Sequence, residues 1–166
     1  MSTRKSIVAI WIMTVLAILT SLLLMLLLGS NVLAAPADKP FHRPLYTTIW
    51  TTSTINTPIT WTAAGSPYWV QSNVTVQNSV SLTIESGVVV KFSSGRSLIV
   101  DGVLILQSSP GNEIILTSYR DDDYGGDTNG DGNSSGARGD WGGITLRSGQ
   151  TSNFHDVIVR YAVTAL

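Results

Sequence analysis

Residues Gly125 to Ser134 read GGDTNGDGNS, which sets Asp127, Asn129 and Asp131 at alternate positions and Gly132 directly after the third. Calcium takes six to eight hard oxygen ligands, and oxygens at loop positions 1, 3 and 5 with glycine at 6 make the first half of a helix-flanked calcium loop. The second half departs from that pattern. Position 12 is Arg138, where such a loop carries a bidentate glutamate, and the sequence predicts no flanking helix. From Ser118 to Gly139, five of the eleven acidic residues gather with six glycines. Asp121, Asp122, Asp123 and Asp140 are available to complete a shell, and the expected set is Asp127, Asn129, Asp131, Asp123 and Asp140 around a structural Ca2+. A metal-free reading stands beside it, because Asp, Asn and Gly collect wherever turns need left-handed backbone and self-bonding side chains. Five carboxylates this close repel one another without a cation, which weighs toward the ion.

No catalytic set is expected elsewhere. Glycoside hydrolysis needs two carboxylates flanking the bond, and Glu85 and Asp101 stand at equivalent places in two similar segments. Residues equivalent by repeat are there for the repeat, so both are expected to be solvated turn residues. Arg120 and Arg138 flank the acidic stretch and are expected to balance its charge. His42 and His155 lack the neighbours of a nucleophilic triad. Trp141, in GDWGG, is expected to cover the mouth of the insertion and pack on the body of the fold, where its ring buries a large area.

What must carry these groups is a set of short strands. SLTIESGVVV (residues 81–90) and SLIVDGVLIL (97–106) repeat one another. Alternation puts Leu82, Ile84, Val88, Val90, Phe92, Leu98, Val100, Leu104, Leu106, Ile114 and Leu116 on one side, with Thr83, Glu85, Lys91 and Asp101 on the wet side. Glycines at 87, 95, 102 and 111 separate runs of four to six residues, and no window after residue 35 shows helical spacing. Asp101-Gly102 is a hairpin signal, but the corners ESG, SSGR and SPGN are not, so stacked parallel strands fit better than an antiparallel sandwich. The expected matches between successive coils are Leu82 with Leu104, Val74 with Leu98, and Val90 with Leu116, a spacing suited to a solenoid.

Residues Ser66 to Ala162, through SLTIESGVVVKF, SLIVDGVLIL, ILTSYRDDDYGGDTNGDG, GDWGGITL and FHDVIVRYA, resemble a right-handed parallel β-helix of bacterial secreted and surface proteins, similar in architecture to the pectate-lyase-like superfamily. The resemblance implies an all-β fold. It also brings an alternative function, in which these are the first coils of a polysaccharide lyase or glycoside hydrolase with its catalytic residues downstream. In such enzymes acids and a basic residue sit on the outer sheet face, and no lyase motif maps onto Arg120 or Arg138.

The N-terminal MSTRKS, the uncharged run from Ile7 to Leu28 and GSNVLAAPA form the three-part plan of an export signal. Cleavage after Ala34 or Ala35 is expected, with a retained membrane anchor as the alternative, since the run is near the roughly 20 residues that span a bilayer. Residues 36–65, opening on PADKPFHRP, read as a linker and an N-terminal cap, the threonine-rich Tyr46–Ala64, broken by Pro58, being a weak strand pair or an end cap, and 66–166 as the coils, with the acidic loop at 118–140. Without the signal, eight basic residues face eleven acidic ones, which argues against nucleic acid as a partner. There is no cysteine, so stability must come from burial, backbone pairing or metal. The strand pattern at Val157, Val159 and Tyr161 has no polar cap after it, which predicts further coils of the same polypeptide or a partner's sheet. The expected role is a secreted or cell-surface module that binds polysaccharide or protein without catalysis.

Overall fold

The computed structural model describes residues 47–147 and 153–164, all within the compact unit Phe41–Leu166. The expected export signal and the start of the linker lie outside the described residues. Thirteen short strands wind into a parallel β-solenoid, and no α-helix occurs among the described residues. The first sheet holds β1 (Thr48–Trp50), β4 (Tyr68–Val70), β7 (Val89–Phe92), β10 (Ile114–Ser118) and β12 (Val157–Val159). The second holds β2 (Thr54–Ile55), β5 (Val74–Val76), β8 (Ser97–Val100), β11 (Trp141–Leu146) and β13 (Ala162–Thr164). The third holds β3 (Ile59–Trp61), β6 (Ser81–Glu85) and β9 (Val103–Gln107). Every pairing between these strands is parallel.

Each of the first three coils contributes one strand to each sheet in turn, and the fourth and fifth contribute strands to the first and second among the described residues, so side chains of one type meet their counterparts one coil away. The register pairs Leu82 with Leu104, Val74 with Leu98 and Val90 with Leu116, as the repeat predicted. Inward columns follow: Val74, Leu98 and Ile144 in the second sheet, and Tyr68, Val90, Leu116 and Val159 in the first. Most of these are fully buried, and each such aliphatic side chain contributes about 1.5–3 kcal/mol.

The solenoid starts before Ser66. The threonine-rich stretch expected to be a cap forms a complete first coil, with β1, β2 and β3 paired in register to β4, β5 and β6. Its loose alternation hid the strands, but Trp61 closes the end of the core by stacking on Tyr68 at 5.2 Å and meeting Trp50 edge-on at 5.3 Å. At Asp101-Gly102 the chain turns from the second sheet to the third and makes no hairpin. Both amides donate to the Val76 carbonyl of the previous coil, at 2.9 and 3.1 Å. A β-carbon at Gly102 would come within 2.2 Å of the Gln77 and Val80 carbonyl oxygens, so this corner fits only glycine.

Leu98, in the middle of its column, should lose about 2–5 kcal/mol of stability as Leu98→Ala, whereas Ile105→Ala on the exposed side of the third sheet should change it by less than about 0.5 kcal/mol. Urea denaturation of the two variants checks this, and equal losses would contradict the inward columns.

Candidate functional site

In the fourth coil, residues 119–140 replace the short corner between the first and second sheets with the acidic loop. Where the loop leaves, Ser118 pairs with Phe92 in an inward column and donates from Oγ to Asp140 Oδ2 at 2.7 Å. Where it returns, Trp141 is fully buried and stacks on Phe92 at 4.3 Å with the rings 4° from parallel. Its indole N–H donates to the Arg160 carbonyl at 2.7 Å. The tryptophan therefore packs on the core, as expected, and restores the column that the serine interrupts.

The loop folds back over the outer face of the first sheet. Register lines up Ile49, Trp69, Lys91 and Thr117 as an outward column, and Arg160, one residue beyond the Val159–Leu116 pair, continues it. Lys91 was expected on the wet side. Its side chain does point away from the core, yet the loop covers it completely. Its ammonium donates to the Gly126 carbonyl and stands 3.8 Å from Asp122 Oδ1. Thr117 Oγ1 donates to Asp121 Oδ2 at 2.6 Å, and Arg160 reaches Asp121 at 3.2 Å and Asp123 at 3.4 Å. Part of the cationic charge that the acidic cluster requires is thus supplied by the sheet beneath it.

The electrostatics of this contact are set by burial. Loss of water brings the Lys91 ammonium down from 10.5 to about 8, against the pull of Asp122, Asp121, Asp127 and Asp131. Burial likewise raises Asp122, offset in part by hydrogen bonds from Ser134 and by Lys91. Both partners move toward their neutral forms, so desolvation outweighs their mutual attraction.

One oxygen each from Asp122, Asp127 and Asp131 lies within 4.8 Å of the others. Asp127 is buried and accepts from the Gly130 and Gly132 amides at 2.6 and 3.2 Å. Asp131 is exposed and accepts from Ser134 Oγ at 3.2 Å. Asp122 Oδ2 accepts from the Ser134 amide at 2.6 Å, while its Oδ1, with Asn129 Oδ1 and Thr128 Oγ1, is covered and lacks a hydrogen-bond partner. A polar atom left so costs about 1–3 kcal/mol.

Of the expected ligands, the fold brings together Asp127 and Asp131 and leaves the Asn129 oxygen unpaired. Asp123 is drawn to Arg160, and Asp140 accepts from Ser118 and from the Ala137 amide at 2.9 Å, so both are engaged elsewhere. Asp122 takes the third place; three consecutive aspartates gave no signal in the sequence to separate it from its neighbours. Glu85 accepts from the Ala63 amide at 2.8 Å and ties one coil to the last, and Asp101 lies 3.9 Å from the exposed Arg147. His155 is largely exposed and contacts Asp156. No family model, no curated protein and no solved structure matches the chain.

Asp121→Ala removes the fully buried acceptor shared by Thr117 and Arg160 and should cost about 3 kcal/mol. Limited proteolysis should then cut within 122–139, and a loop that stays resistant would contradict the clamp.

Proposed function

We propose that this chain is an exported, non-catalytic module of the right-handed β-helix type that holds an acidic polysaccharide on the outer face of its first sheet. The observation that carries the reading is an aromatic platform beside the acidic loop. The half-buried rings of Trp69 and Tyr119 stack, 5° from parallel with centroids 6.4 Å apart. Trp69 is held by its indole N–H, which donates to Ser93 Oγ at 2.9 Å. Ile49, 56% exposed, extends the apolar strip by one coil. Flat apolar rings with a polar rim suit the faces of sugar rings, which carry C–H groups on one side and hydroxyls at the edge. The Arg120 guanidinium lies 5.4 Å from the Tyr119 centroid and donates to its hydroxyl at 2.9 Å, which leaves an exposed cation at the platform for a uronate carboxylate.

The acids and bases on the same face support binding over chemistry. Lys91 is wholly covered, and Asp121 is equally inaccessible to a polymer. Right-handed winding is the general preference of parallel β-crossovers, and the parallel solenoid is compatible with the pectate-lyase-like architecture that the sequence resembles. Export to the cell surface or medium rests on the charged start and the Ile7 to Leu28 run. The alternative, the opening coils of a lyase or hydrolase with catalytic residues downstream, predicts cleavage by the full-length protein.

Incubated with a uronic-acid polymer and with a neutral one, the full chain should retain the acidic polymer without shortening it. Trp69→Ala or Tyr119→Ala should weaken retention about tenfold, equivalent to about 1.4 kcal/mol. Shortened or unsaturated products would contradict the non-catalytic reading, and unchanged retention in both variants would remove the platform.

A further inference from the structure

We propose that Asp122, Asp127 and Asp131, with the side-chain oxygen of Asn129, form a calcium site that fastens the acidic loop to the first sheet. Three observations converge. The first is spacing: the three carboxylate oxygens lie within 4.8 Å of one another, and oxygens bound at 2.3–2.6 Å around one Ca2+ can be no farther apart than about 5 Å. Magnesium, at 2.0–2.1 Å and with near-ideal octahedral demands, fits such a spread of protein ligands poorly.

The second is the unpaired oxygens. The Asp122 side chain is only 5% exposed, and its Oδ1, 3.8 Å from the Lys91 ammonium, has no hydrogen-bond donor. Asn129 Oδ1 and Thr128 Oγ1 are also covered and without a partner. A covered carboxylate oxygen, an amide oxygen and a hydroxyl oxygen in one loop are hard donors of the kind that a hard cation takes. Hydrogen bonds fix the three carboxylates in place: Gly130 and Gly132 donate to the two Asp127 oxygens, and Ser134 donates to Asp122 Oδ2 and Asp131 Oδ1.

The third is charge. Three carboxylates and the neighbouring Lys91 ammonium leave a net charge of about −2, which one divalent ion cancels. Arg160 attends to Asp121 and Asp123, and so leaves this trio to the ion. The site is independent of polysaccharide binding, and its test contains no polymer.

Calorimetric titration of the chelator-treated full chain with CaCl2 should show one saturable site, a raised melting temperature, and a much weaker response to MgCl2. Asp131 is exposed and Asn retains its contact with Ser134, so Asp131→Asn should fold normally yet lose about tenfold or more in calcium affinity. Asp123→Asn, on the Arg160 side, should leave the affinity unchanged. Absence of heat and of any thermal shift would overturn the site. So would equal losses in Asp131→Asn and Asp123→Asn, which would mark diffuse attraction to an acidic loop.

Discussion

Backbone hydrogen bonds between coils running in the same direction are the constraint on which the rest of this structure depends. Stacked at about 4.8 Å, successive strands bring residues of equal position into contact, so a repeat in sequence becomes a column in space. That arrangement favours β-branched and leucine side chains inward and makes corners the place where glycine is required. It also explains how a chain without cysteine holds an extended body together: each coil completes the core of the one before it, and no cross-link is needed.

The same register organises the outside. Lys91, Thr117 and Arg160 come from three successive coils, yet they stand in one outward column because their inward neighbours do. The acidic loop lies along that column and engages all three through Asp121, Asp122 and Asp123. A loop that seems from its composition to be a solvated excursion therefore acts as a strap across coils, at the cost of burying charge. Beyond its edge the column changes character, from ion pairs to the half-buried Trp69 and the exposed Ile49.

Much of the fold was legible in the sequence, because the SLTIE and SLIVD segments carry the register in their repeat and the alternation of Leu82, Ile84, Leu104 and Leu106 marks the core. The first coil was not, since Pro58 and the threonine run blur alternation, and its burial rests on tryptophans packing end-on. At the site, Asp127 and Asp131 were recognisable by their spacing with Gly132. Lys91 was assigned to solvent from alternation alone, and the Val90–Leu116 match placed it beside Thr117 without revealing that a loop would return to cover both. That fold-back depends on tertiary contacts with Arg160, some forty positions from the loop's first aspartate, and no local pattern encodes it. For the same reason Asp123 and Asp140 were indistinguishable from Asp122 as members of the carboxylate cluster: which carboxylate joins Asp127 and Asp131 is decided by Ser118, Ser134 and Arg160.

Cysteine cross-linking tests the common direction of the coils most directly, because the chain has no native cysteine to interfere. Ser81 pairs with Val103 at one end of β6 and β9, and Glu85 with Gln107 at the other. Disulfides need α-carbons about 4.4–6.8 Å apart, which in-register parallel neighbours satisfy. The account predicts that Ser81→Cys with Val103→Cys oxidises to an internal disulfide, while Ser81→Cys with Gln107→Cys stays reduced. The reverse result would mean that neighbouring strands run in opposite directions, and the solenoid would fall with it.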